Sequence, residues 1–197
     1  GEIAPGRLKI EKFSDGEILP LFQESVRDLD IFFVQSTNSS DNIIETLLVI
    51  DAAKRAGCKS FTLVSPFQGY SRQDKTDHLR SSIGSKVLAD VLTAAGMTRI
   101  ITIDLHASAI QGFYNVPVIH LNGNKIFIDY IRQNQIKIIF AEELVDPKLA
   151  QTLADETGTQ IMTLSPLEGL TKAESGKSYL DKMNDNLNSI KIALECA

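Results

Sequence analysis

Five short apolar runs, rich in β-branched residues, alternate along this chain with segments of helical pattern. The runs are IFFVQS (31–36), SFTLVS (60–65), RIITID (99–104), IKIIFAEE (136–143) and TQIMTL (159–164). Between them lie NIIETLLVIDAAKRAG (42–57), SSIGSKVLADVLTAAG (81–96), a helical stretch over 125–134, and DPKLAQTLADETG (146–158). Strands that are apolar along their whole length and separated by helices belong in a parallel sheet covered on both faces. The pattern therefore predicts an α/β fold: a three-layer α/β/α sandwich, flavodoxin-like, with a mainly parallel sheet of about five strands. Gly57, Gly96 and Gly158 follow the clearest helical stretches, where a left-handed residue ends a helix. Asp41 and Asp146 stand at helix starts, and Pro147 suits a first helical position. The opening RLKIEKFSDGEILPLFQESV (7–26) alternates more strongly and is expected to form an antiparallel N-terminal flap. With no repeat and no low-complexity linker, 1–197 reads as a single domain.

Composition narrows the function classes. Twenty Lys and Arg against 25 Asp and Glu give a net charge of −5. That balance argues against nucleic-acid and anionic-membrane partners, which both need a basic face. No run approaches the roughly 20 apolar residues of a membrane-spanning helix, and GEIAPGRLKI has no apolar signal core. Cys58 and Cys196 have no metal-ligand spacing. A reducing, cytoplasmic setting is the expectation.

Ligands of open parallel sheets gather at the carboxyl ends of the strands. Here those ends are 35–38, 65–80, 104–106, 142–143 and 165–169. The segment 65–80 is too long and polar for a simple strand-to-helix turn. It offers Arg72, Lys75 and Arg80 as phosphate-directed cations, with Gln73 and Asp77 as readers of a base or ribose. Asp104 and His106 follow a buried strand directly, where an imidazole can meet a metal or a metal-bound phosphate. On composition alone, a solvated charged loop and a satisfied strand-end histidine account for the same residues.

The wording of these segments carries a resemblance. FSDGE (13–17), VQST (34–37), GYSRQDKTD (69–77), IGSK (83–86) and DLHASAIQGF (104–113) resemble ribose-phosphate diphosphokinase, the phosphoribosyl diphosphate synthase family, in order and spacing. The resemblance covers about 6–130, so 1–130 is treated as a synthase-like fragment. It implies an N-terminal domain that holds Mg·ATP for diphosphoryl transfer to ribose 5-phosphate. It further implies that Arg72 and Gln73 contact adenine and phosphates, that Asp77 contacts the nucleotide, and that His106 lies beside Mg²⁺. Phe13, Asp15 and Glu17 would bind the adenine held by a neighbouring subunit, which implies a homo-oligomer through synthase-like surfaces. The family's first strand and helix are expected before Gly1. An acidic pair with a TGGT loop for ribose 5-phosphate, and a Lys-Arg-rich flap, do not occur in the 197 residues.

From about 129 onward the wording changes. FAEELVDPKLAQTLADETG, LSPLEGLT and GKSYLDKMNDNL resemble the C-terminal part of zinc/manganese substrate-binding proteins of ABC importers, giving a second fragment over 131–197. That resemblance implies Glu168 as a vestigial zinc ligand, but its histidine partners are missing, and His78, His106 and His120 belong to the other fragment. One carboxylate does not make a zinc site. Two families meeting within DYIRQNQIKIIF (129–140) point to an engineered chimeric scaffold without native activity. It requires no cofactor, takes Mg²⁺ only with ATP, and retains weak ATP, phosphate or sulfate binding. The alternative is a working ribose-phosphate diphosphokinase.

Overall fold

A computed structural model of the chain describes residues 5–143, 148–167 and 176–195. It divides into two compact units, 1–122 and 123–197.

Unit 1 begins with a hairpin of β1 (Leu8–Lys12) and β2 (Ile18–Phe22), paired antiparallel from Leu8–Phe22 to Lys12–Ile18. This is the flap expected from the alternating opening. The chain then builds a four-stranded parallel sheet in the order β3 (Asp30–Val34), β4 (Ser60–Ser65), β5 (Arg99–Ile103), β6 (Val118–Leu121). Helix α1 (Ser40–Arg55) connects β3 to β4, and α2 (Gly84–Ala95) connects β4 to β5. A 3₁₀ turn over Ser108–Phe113 precedes β6. The register places Leu63 beside Ile100 and Phe33, and Phe61 beside Ile31. Side chains alternate across a sheet, so these residues share one face. They form the core with Val49, Ile50 and Ala53 of α1 and Leu88, Ala89 and Leu92 of α2. On the opposite face Phe32, Val34, Ile119 and Leu121 are exposed.

Helix α1 starts two residues earlier than the charge pattern suggested. Ser39 is the N-cap and accepts the Asn42 amide at 3.2 Å, while Asp41 sits in the first turn against the positive end of the dipole. Such a cap contributes about 1 kcal/mol. The helix closes on Lys54 and Arg55, and Gly57 follows at φ 82°. Gly96 and Gly158 also have positive φ. The three predicted helix-ending glycines therefore take the backbone conformation that only glycine adopts without strain.

Unit 2 contains α3 (Asn124–Gln133), β7 (Ile138–Ala141), α4 (Lys148–Thr157), β8 (Gln160–Thr163) and α5 (Tyr179–Ala193). Its two strands pair with each other in parallel, Ile139 beside Ile161. The single-domain reading over 1–197 placed all the parallel strands in one layer. The structure distributes them over a four-stranded sheet and a separate parallel pair. Among the described residues of unit 2, Ile131 and Ala154 are its buried hydrophobics, and Ile139 is half-buried. Its short strands enclose little volume, so apolar side chains that would fill a larger core stay at the surface.

The two units should respond differently to core truncation. Leu63→Ala, at a fully buried site, is expected to cost about 2–5 kcal/mol in urea unfolding. Ile139→Ala removes a half-buried side chain and is expected to cost about 1–2 kcal/mol, scaled from the same series. Equal losses at both positions would show a unit 2 core as full as that of unit 1.

Candidate functional site

The carboxyl ends of β3, β4 and β5 enclose a cleft of about 780 Å³. Its walls are Thr37–Ser40 after β3, Phe67–Gln73 after β4, and Asp104 with His106 after β5.

The first two walls are stitched together. The Thr37 hydroxyl accepts the Gly69 amide at 2.8 Å, in a fully buried contact, and the Thr37 amide donates to the Phe67 carbonyl at 3.0 Å. The backbones approach so closely that a Cβ on Gly69 would lie 1.9 Å from the Thr37 carbonyl oxygen. Next along the chain, Tyr70 is held at φ 59°, a conformation that costs a bulky residue on the order of 1–3 kcal/mol. The Gln73 carbonyl then accepts the Ser85 amide at 3.2 Å, so the loop caps α2, whose own N-cap Ile83 offers no side-chain acceptor. Gly84 lets this happen: a Cβ there would meet the Gln73 side chain at 2.5 Å.

The third wall depends on Leu105 and His120. Leu105 is buried, and its amide donates to His120 Nε2 at 3.0 Å across to β6. A neutral imidazole accepting at Nε2 carries its hydrogen on Nδ1. Leu105 is thereby fixed inward, while Asp104, at φ 47°, and His106 on either side are exposed and line the cleft.

The cleft is lined by Arg72, Gln73 and His106. Asp77 is not among its lining residues; it lies in the exposed outer loop, 3.6 Å from Lys75 Nζ. Phe13, Asp15 and Glu17 sit in the β1–β2 turn, closed by the Phe13 amide to the Glu17 carbonyl at 2.8 Å. They stand apart from the cleft, and Glu17 lines a separate groove with Asp41, Ile44 and Leu48. Glu168 lies outside the described residues. Sequence reasoning missed Gly69 and His120 as positioning residues; the close Thr37–Gly69 approach and the His120 bond link segments distant in sequence and show only in three dimensions.

Chemically, the cleft suits an anion. The N-terminus of α1 presents unpaired backbone amides and the positive end of its dipole at Ser39 and Ser40. Arg72 has no carboxylate partner among the described residues. The described residues hold no cluster of three or more metal-binding side chains. Asp104 and His106 are two donors, which suits Mg²⁺, an ion that keeps several waters and is held largely through substrate phosphates. A structural zinc site does not fit that donor set. The Cys58 thiol is pushed up by burial, which keeps it protonated and a poor ligand.

Comparison with known proteins divides the chain near residue 100, earlier than the boundary between the two units. Residues 2–96 match the family model of the N-terminal domain of ribose phosphate pyrophosphokinase, and residues 104–193 match that of the periplasmic zinc-uptake complex component A. A ribose-phosphate pyrophosphokinase from Porphyromonas gingivalis is 55% identical over 130 residues, covering 66% of this chain and 42% of the relative. Ribose-phosphate pyrophosphokinase A of Dictyostelium discoideum is 35% identical over 190 residues, covering 94% of this chain and 60% of the relative. The crystal structure of phosphoribosylpyrophosphate synthetase from Mycobacterium smegmatis superposes with a TM-score of 0.71 at 32% identity, over 85% of this chain and 58% of that one. The chain spans about half the length of the curated relatives it matches. It is similar to two families in succession, and the Dictyostelium alignment extends through much of unit 2, where the zinc-uptake model also matches.

Two glycines give opposite expectations. Gly69→Ala should destabilise the chain by at least about 2 kcal/mol, because its Cβ strikes backbone and not a movable side chain. Gly112→Ala meets nothing within 4 Å and should be neutral or stabilising by about 0.5 kcal/mol. Thermal unfolding of both variants checks the pair.

Proposed function

We propose that unit 1 is the nucleotide-holding half of a ribose-phosphate diphosphokinase type of site, and that these 197 residues bind Mg·ATP, phosphate or sulfate weakly without transferring a diphosphoryl group. The observation that carries this is the cleft itself, in which Arg72, Gln73, Asp104 and His106 converge beside the N-terminus of α1. Arg72 and the helix terminus offset phosphate charge. Gln73, held by its loop over α2, is placed to read the base or ribose. Asp104 and His106 would hold Mg²⁺ on the phosphates, where the ion shields charge on the transferring group. Catalysis of this kind rests on positioning and charge neutralisation, so one wall supports binding more readily than turnover. The ribose 5-phosphate loop and cationic flap named above are not among these residues.

The succession of two family matches favours an origin as an engineered chimera of flavodoxin-like fragments. In this reading the chain works in a cytoplasmic setting, with no nucleic-acid or membrane partner, and zinc transport is not its task. Phe13, Asp15, Glu17 and Asp77 would reach a nucleotide only if a neighbouring copy and loop closure bring them to it, which makes a homo-oligomer part of the proposal. The competing reading, complete diphosphokinase activity, is favoured by the names of the relatives and by the alignment over 94% of the chain.

Calorimetry with Mg·ATP should give a dissociation constant on the order of 0.1–1 mM, about −4 to −5.5 kcal/mol. Arg72→Ala should weaken it roughly tenfold, as for loss of a hydrogen bond to a charged group. A coupled assay should detect no AMP release that depends on ribose 5-phosphate. Turnover that requires ribose 5-phosphate and disappears in His106→Ala would establish the enzyme instead.

A further inference from the structure

Strand β6 places Val118 and His120 on the sheet face that α1 and α2 cover. Val118 packs against the core there, while Ile119 and Leu121 are exposed on the other face. His120 stands beside the fully buried Thr102 in the β5–β6 ladder. The last pair of that ladder is Ile103 with Leu121, and the Asp104 amide donates to the Leu121 carbonyl at 3.2 Å. Strand β6 ends there, so the next amide, that of the buried Leu105, has no strand backbone beside it. His120 Nε2 accepts that amide at 3.0 Å, and a side chain thereby replaces the ladder bond that the strand no longer supplies. The turn it closes needs such a clamp. Asp104 has φ 47°, uncommon outside glycine, and backbone of this kind persists where its surroundings fix it. On the far side, His106 is followed by the 3₁₀ turn, which is anchored through the fully buried Ile110. His106 is therefore carried between two fixed points, and the His120 bond is one of them.

We propose that His120 controls the metal-dependent share of nucleotide binding. It does not line the cleft, so it is a positioning residue that acts through Leu105 on the wall where Asp104 and His106 would hold Mg²⁺. The inference rests on that reading of the cleft. Removing the acceptor leaves the Leu105 amide unpaired, a state the turn relieves by shifting its backbone toward water. That shift moves His106, and Mg²⁺ is sensitive to it because the ion demands near-ideal octahedral geometry. The other two walls do not depend on His120. Arg72, Gln73 and the N-terminus of α1 are set by the Thr37–Gly69 contact and by the bond from the Ser85 amide to the Gln73 carbonyl. Binding of metal-free ATP should therefore survive the change that weakens binding of Mg·ATP.

Calorimetry on the full chain, with ATP alone and with ATP plus Mg²⁺, tests this in His120→Gln, His120→Phe and His120→Leu. Gln carries an oxygen as many bonds from Cβ as Nε2 is, so it keeps the acceptor, whereas Phe keeps a ring without one. In the wild type and in His120→Gln, Mg²⁺ should strengthen ATP binding about tenfold, within the usual range of coupling between two ligands. In His120→Phe the gain should fall to about twofold or less on the same scale, with metal-free affinity unchanged. His120→Leu, which adds no bulk, should match it even where the larger ring disturbs folding. Hydrogen exchange at the Leu105 amide should stay slow in His120→Gln and become fast in the two apolar variants. A full Mg²⁺ gain in His120→Phe or His120→Leu overturns the proposal. So does a wild type without the gain, a His120→Gln variant that loses it, or metal-free binding that falls as far as Mg·ATP binding. A wild-type chain that binds ATP in neither condition overturns the reading of the cleft, and this inference with it.

Discussion

The contact between Thr37 and Gly69 is the constraint on which the cleft depends. It joins the loop leaving β3 to the loop leaving β4 at backbone distance, with one buried hydrogen bond and no room for a side chain. Because both loops are fixed there, the α1 N-terminus and the Arg72–Gln73 segment face each other across a set gap. Everything beyond that point in the second loop hangs from it: the left-handed Tyr70, the Gln73 carbonyl that caps α2, and the close packing at Gly84. The usual order of helix capping is reversed, since the binding loop supplies the cap and the helix in turn holds the loop.

The same economy appears at β5. A single hydrogen bond from Leu105 to His120 pins the residue between two functional candidates. The buried leucine between them leaves Asp104 and His106 exposed on either side, at the wall of the cleft. A strand-end histidine on the neighbouring β6 thus acts as a positioning residue, and the one on β5 is left to face the cleft.

Much of this was legible in the sequence, and the boundary is physical. The five β-branched runs are strands β3, β4, β5, β7 and β8, because β-branched and aromatic residues suit a pleated strand, although Phe32, Val34 and Phe140 lie on faces left exposed. Gly57, Gly96 and Gly158 mark helix ends because the backbone conformation there is local. Strand β6, with only VIHL to show, carries too short a signal and was passed over. The sequence also could not say where one sheet stops and the next pair begins, since the alternation of strand and helix is the same on both sides of residue 122. At the site, Arg72, Gln73 and His106 were identifiable from residue type and strand-end position. Thr37, Gly69 and His120 act through contacts between segments far apart in sequence, and no local pattern reports those.

All the groups that shape the cleft, down to His120 on the last strand of the sheet, occur before residue 122. During synthesis they are made before any residue of unit 2, and domains of this size and class commonly fold within milliseconds to about a second. The order of the chain therefore lets the anion-binding surface mature first, and a nucleotide bound there would steady the nascent unit by mass action before the second one exists.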